Sequence, residues 1–210
     1  MSDQPSKPEI QRLKVLWEYE VLDTIPERVF DDLTELAAKI CEAPIALITL
    51  IDEKRQWFKS KVGVSLQETS RDISFCDHAI RGEGLFIVPD AAKDKRFAAN
   101  PLVTSDPKIR FYAGAPLITP DGHALGTLCI IDKVPRELRP EQKQALVILA
   151  RHVMTQLELR RHSRKLAEAR KAQSKMADTL RKSETERARL QRQLAKFKTR
   201  KSRRPATKAG

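Results

Sequence analysis

The sequence predicts an α+β domain running to Leu157, followed by a long basic helix. Three observations carry this prediction. Apolar residues recur at helical spacing at both ends of the first 157 residues, and between them lie short β-branched runs separated by turn signals. The charge balance also changes at that boundary. The 210 residues hold 40 Lys/Arg against 28 Asp/Glu, yet 19 basic and only 5 acidic residues lie from Glu158 onward, leaving 21 against 23 before it. Attraction to a polyanion therefore belongs to the extension alone. The expected organisation is a flexible lead over 1–8, the domain over 9–157, a basic helical or coiled-coil extension over 158–197, and a disordered basic tail over 198–210.

Ile10, Leu13, Trp17 and Val21 repeat at helical spacing, so an amphipathic helix opens the domain. Thr24-Ile-Pro-Glu27 has the form of a capping box, starting a second helix with Phe30, Leu33, Leu36 and Ile40 on one face and an end near Cys41. Residues 44–51 are continuously apolar and β-branched, which predicts a strand covered on both faces. After the polar turn 52–54, residues 56–62 alternate. Trp57, Lys59 and Lys61 fall on one side, with Phe58, Ser60 and Val62 on the other, and the two runs form an antiparallel hairpin. Residues 74–81 predict a short helix ending at Gly82. Residues 85–88 predict a strand stopped by Pro89, and 94–106 an irregular stretch with Pro101 and Pro107 as breakers. Thr119-Pro-Asp-Gly122 is a strong turn joining strands 109–118 and 123–131 into a second hairpin. Pro140 suits the first turn of the last helix, whose core stripe is Leu146, Leu149, Val153 and Leu157. Beyond it, Leu166, Leu180 and Leu194 share one heptad position and Ala169, Met176, Leu190 and Phe197 the other. Gln173, Ser183 and Arg187 interrupt this weak coiled-coil seam.

The longest apolar run, 44–51, is far short of the ~20 residues of a bilayer span, and the N-terminus lacks the pattern of a signal peptide. Three cysteines (Cys41, Cys76, Cys129) are an odd number without paired spacing, which predicts a reduced, cytoplasmic protein.

Several segments, in order, resemble a GAF subgroup found at the front of bacterial signalling proteins. They include Tyr19-Glu-Val-Leu-Asp-Thr24, Phe30-Asp-Asp-Leu-Thr34, Pro44-Ile-Ala-Leu-Ile-Thr-Leu-Ile-Asp52, Arg55-Gln-Trp-Phe-Lys-Ser60 and Ser74-Phe-Cys-Asp-His-Ala-Ile80. Val88-Pro-Asp-Ala91, Arg96-Phe-Ala-Ala-Asn-Pro101, Arg110-Phe-Tyr-Ala-Gly-Ala-Pro-Leu117 and Gly126-Thr-Leu-Cys-Ile-Ile-Asp132 complete the set. The resemblance implies an α/β sandwich: a central antiparallel sheet with helices on one face and a ligand pocket on the other. It places 74–81, 90–106 and 110–115 around that pocket. It also implies a homodimer through the N- and C-terminal helices, relaying a signal to an output partner.

No cofactor is required by the residues present. Cys76 and His78, two apart on a helix, point to different faces and make poor shared metal ligands. For bilin, Asp77 separates the cysteine from the histidine and the long match around a bilin cysteine is missing. For haem, His78 is the sole axial candidate in the right region. All three groups are disfavoured. The Asn-Lys-Phe-Asp-Glu constellation of cyclic-nucleotide GAF domains has no equivalent. A free methionine sulfoxide reductase needs reactive pocket cysteines, and Cys76 has no evident resolving partner in the sequence. With no catalytic motif, the chain is expected not to be an enzyme. A non-covalent ligand site would draw polar groups from His78, Asp90, Asp94, Arg96, Asn100, Arg110 and Tyr112. Trp57, Phe75 and Phe111 would supply flat surfaces, with Cys76 beside them.

The expected function is a sensory or regulatory module that binds a small molecule or a protein partner and relays through dimeric helices. One alternative is the input portion of a sensor histidine kinase or diguanylate cyclase system. His162, however, is followed by Ser-Arg-Lys-Leu and lacks the surround of a phosphoacceptor histidine. The other is contact with nucleic acid, lipid or an acidic partner through the seven basic residues from Lys196 to Lys208, a run with no acid and no base-reading motif.

Overall fold

The computed structural model describes residues 6–202, with side chains through 196. The chain divides into two compact units, Met1–Arg161 and His162–Gly210. The first holds helices α1 (Lys7–Glu18), α2 (Arg28–Cys41), α3 (Phe75–Ala79) and α4 (Pro101–Thr104), the 3₁₀ turn Arg71–Ile73, and the start of α5 (Pro140–Ser202). Its strands are β1 (Ile45–Ile51), β2 (Arg55–Val62), β3 (Glu68–Ser70), β4 (Phe86–Val88), β5 (Phe111–Ile118) and β6 (Ala124–Asp132). They form one antiparallel sheet in the order β3-β2-β1-β6-β5-β4, as the α+β reading expects.

Each face of the sheet carries its own core. On the helical face, α1, α2 and α5 bury Leu16, Phe30, Ile48, Leu128, Leu146 and Val153. On the opposite, distal face, α3, α4 and their loops cover Ile51, Phe58, Phe97, Tyr112 and Cys129. All seven residues of β1 are buried, because it sits mid-sheet with both faces covered. Fully burying a side chain of the Leu or Phe kind contributes about 1.5–3 kcal/mol, so two such cores in one domain support a long-range sheet.

Several expectations need correction. In α1 the buried positions are Arg12, Leu13, Val15 and Leu16, whereas Ile10 and Trp17 are exposed and Val21 lies past the helix end. Thr24 caps nothing. Its hydroxyl donates to the Val21 carbonyl (2.6 Å) and accepts from Lys59 Nζ, and α2 begins only at Arg28. The buried face of α2 is Phe30, Thr34, Ala37, Ala38 and Cys41, leaving Leu36 exposed. A bulge opposite Ile48/Thr49 skips Lys59 in the β1–β2 register, so Lys59 and Ser60 both turn toward the helical layer. Beyond it the alternation is reversed: Ser60 and Val62 join the Trp57 side. Pro101 starts α4 at a helix N-terminus instead of breaking structure. The short β3 and the 3₁₀ turn are three residues each and carry no apolar period. The helix Pro140–Ser202 overlaps the expected tail, and residues 1–5 and 203–210 lie outside the described residues. No helix among the described residues is long and apolar enough to cross a membrane.

Within the second unit, Leu166, Met176, Leu180, Leu190 and Leu194 are exposed along the helix.

Candidate functional site

The distal face brings some of the expected site residues together. Ser74 caps α3 by accepting from the Asp77 amide, and its hydroxyl also meets the Gln56 side chain. This sets Phe75 and Cys76 inward. Phe75 stacks on Phe97 (4.0 Å between centroids) and on Tyr112 (5.2 Å), filling the space between α3 and β5. His78 is exposed and meets Phe97 edge-on at 4.8 Å. The Arg96 guanidinium covers Phe86 and Phe97 at 4.9 and 5.3 Å, held by Asp94 at 2.6 Å. The hydrogen bond from Arg96 holds the Asp94 carboxyl below its ordinary range, and partial burial lowers the His78 pKa.

Other expected residues spend their polar groups on their own loops. Asp90 accepts from the Ala92 amide and pairs with Lys93. Asn100 caps α4 through the Leu102 amide and donates to the Ile73 carbonyl. Arg110 donates to the Val103 and Ile109 carbonyls. Trp57 and Phe111 face the helical core, on the other side of the sheet from Phe75 and Tyr112.

Cys76 has a partner that spacing did not reveal. Its Sγ lies 3.8 Å from Cys129 Sγ, and the Tyr112 hydroxyl donates to it at 3.2 Å. Thr49 and Thr127, opposite one another on β1 and β6, place their hydroxyls 3.1 Å apart beside the pair. Burial pushes the Cys76 thiol up, but hydrogen bonding by Cys129, Thr127, Thr49 and Tyr112 outweighs it and holds the thiol below its ordinary range, while burial pushes Cys129 up.

At one end of this face lies an open groove of 1330 Å³ between α1, the 3₁₀ turn, α3 and the β5–β6 turn. An alternating ion-pair chain crosses it. Arg12 meets Glu9 at 2.8 Å, Glu9 meets Arg71 at 2.6 Å, Arg71 meets Asp77 at 2.7 Å and Asp77 meets Arg81 at 2.5 Å. Arg12 also donates to the Ile51 carbonyl and Arg71 to the Asp52 carbonyl, fixing the chain to the end of β1. His78 is the one expected site residue on the groove wall. Charges of both signs suit a small polar ligand with complementary charges. Among the described residues, no group of three or more His, Cys, Asp or Glu is placed to hold a metal ion.

A second network lies where α5 leaves the domain. The Glu27 carboxylate is shared by Lys59 Nζ (2.6 Å) and Arg160 Nε (2.9 Å). Arg160 also donates to the Tyr19 and Glu20 carbonyls. The Tyr19 hydroxyl meets Glu158, and Arg161 stacks over the Tyr19 ring at 4.9 Å. The sheet, the α1–α2 connection and the exit helix thus meet at one carboxylate. The sequence carries no signal for these residues: Glu27 has the form of a capping-box glutamate, and Lys59 falls on one side of a simple alternation.

The profile described as GAF domain matches residues 26–157. The chain belongs to the GAF domain family. A cyclic di-GMP phosphodiesterase of Pseudomonas aeruginosa is 44% identical over 138 residues, covering 65% of this chain and 24% of that protein. The chain therefore spans about a quarter of that curated relative. Among solved structures, the GAF domain of an Acinetobacter phosphoenolpyruvate-protein phosphotransferase superposes with a TM-score of 0.52 at 17% identity, covering 73% of this chain and 95% of that one. A GAF domain region from Geobacter sulfurreducens gives 0.52 at 18%, covering 72% and 98%. At these identities the likeness is one of fold. The six-stranded sheet with its flanking helices is the GAF fold, and the chain is a signalling, sensory-type module.

Proposed function

We propose that the domain binds a small polar ligand in the groove beside α3 and passes the change to a homodimeric pair of α5 helices. The role is binding and relay, not catalysis. One observation carries the reading: Glu27 joins Lys59, on the sheet, to Arg160, on the exit helix. A shift of β2 is thereby felt at the start of the extension. The identity to a cyclic di-GMP phosphodiesterase supports a place in signalling. Location in the cytoplasm fits three free cysteines.

A thermal-shift screen of charged metabolites and nucleotides, cyclic dinucleotides included, tests the ligand. Sedimentation at rising concentration tests the pairing. At least one compound is expected to raise the melting temperature, with the chain sedimenting as a dimer. A monomer at high concentration that no compound stabilises would overturn the reading.

A further inference from the structure

The relay described above makes no use of Cys76 and Cys129. Both are buried, one on α3 and one on β6, with Sγ atoms 3.8 Å apart. The third cysteine, Cys41, belongs to the core on the opposite face of the sheet. We propose that Cys76 and Cys129 form a reversible intrachain disulfide in response to a hydroperoxide, making the distal face a redox modification site.

A disulfide needs a separation of about 2.05 Å, so the two sulfurs must approach by a little under 2 Å. Cys129 lies on a strand paired on both sides, opposite Leu47 of β1 and Gly114 of β5, and is held in place. Cys76 lies on a helix of five residues, which can shift. Asp77 and His78 of that helix line the open groove, so the helix that buries Cys76 borders solvent on its other side. The surroundings suit an ionised sulfur: the Tyr112 hydroxyl donates to Cys76, and the two threonine hydroxyls sit beside it in an otherwise apolar core.

The chemistry closes with the hydroperoxide as sole oxidant. The Cys76 thiolate attacks the distal peroxide oxygen and breaks the O–O bond. This forms a sulfenic acid, and the leaving oxygen takes the thiol proton as water or alcohol. The Cys129 sulfur then attacks the Cys76 sulfur, the S–S bond forms, and the hydroxyl leaves with the Cys129 proton as water. Two thiols lose two electrons and the peroxide gains them. A thiol reductant reverses the bond by exchange. Drawing α3 toward β6 also pulls on Asp77, and through Arg71 on Glu9 of α1.

The test uses the full chain, first without substitution. Reduced protein is treated with hydrogen peroxide, denatured, alkylated with N-ethylmaleimide, then weighed and mapped by peptide mass spectrometry. The expected result is a fall from three alkylated cysteines to one, at Cys41, with a Cys76–Cys129 linked peptide that dithiothreitol removes. Three alkylated cysteines after peroxide would overturn the proposal. So would a link involving Cys41, or a sulfinate at Cys76 with Cys129 still alkylated. Cys41→Ala should keep the linked peptide and Cys129→Ala should lose it. Ligand screening is done on reduced protein, so failure of the disulfide and failure of the ligand reading are seen separately.

Discussion

Lys59 has its side chain fully out of solvent. Its ammonium is tolerated because three acceptors meet its three donors: Glu27, the Thr24 hydroxyl and the Ile25 carbonyl. Burial lowers its pKa, and Glu27 keeps the charged form in place. Glu27→Gln takes the shared carboxylate from Lys59 and Arg160; breaking a fully buried pair from one side costs about 3–5 kcal/mol, and with Glu27 a third exposed the loss falls to the low end of that range. Urea unfolding should show a loss of that size, and Lys59→Met, which removes the charge itself, a smaller one. An equal or larger loss for Lys59→Met would contradict this account of the network. Glu9 yields a pH prediction. Burial raises its carboxyl pKa, but the hydrogen bonds and charges of Arg12 and Arg71 outweigh this and bring it from 4.5 to about 2. A carboxylate depressed on folding contributes stability that is whole above the unfolded value and lost as pH falls through the folded one. Acid titration should therefore destabilise the domain progressively between pH 4.5 and 2, and Glu9→Gln should flatten that part of the curve. Neither residue's role was legible beforehand. Lys59 fitted a simple alternation that the bulge breaks, and Glu9 sat at the expected edge of a flexible lead.

Among the elements, β6 shows how much a strand depends on what it lacks. A Cβ at Gly126 would fall 1.8 Å from the Thr49 carbonyl oxygen, so β1 and β6 could not keep their register. At Gly114 on β5, a Cβ would meet the Tyr112 hydroxyl at 2.2 Å, which a side chain can partly relieve by moving. Gly114→Ala is expected to cost about 1–3 kcal/mol, the range of overpacking, with Gly126→Ala costing more because backbone must yield. Near-ultraviolet circular dichroism should report a disturbed tyrosine for Gly114→Ala, since Tyr112 loses its place against Cys76. The hairpins were readable because turn chemistry and apolar runs are local, as in Thr119-Pro-Asp-Gly122. The buried face of α1 was not. Arg12 satisfies its charge against Glu9 and the Ile51 carbonyl and so is buried at a position outside the apolar spacing of Ile10, Leu13, Trp17 and Val21. The Cys76–Cys129 contact joins elements 53 residues apart, and nothing in the spacing encodes it.

At the scale of the whole molecule, the sheet separates two tasks. In the proposed reading the groove between α1, the 3₁₀ turn and α3 takes the ligand, and the helical face holds the exit helix at Glu27. Of the expected site, Phe75, Cys76, His78, Asp94, Arg96 and Tyr112 come together, while Trp57 and Phe111 lie across the sheet. The resemblance located the region, but strand alternation was needed to say which aromatic faces it. The exposed leucines of the second unit support pairing of two chains, because they share heptad positions without cover from their own chain. Leu180→Asp combined with Leu194→Asp should move the sedimentation equilibrium toward monomer and leave the domain's melting temperature near that of the parent. The central claim is a ligand-binding module that works as a dimer, and native mass spectrometry of the protein purified from the organism that makes it tests both halves together. The expected spectrum shows twice the chain mass with a discrete added mass of small-molecule size; a bare monomer at micromolar concentration would contradict the account.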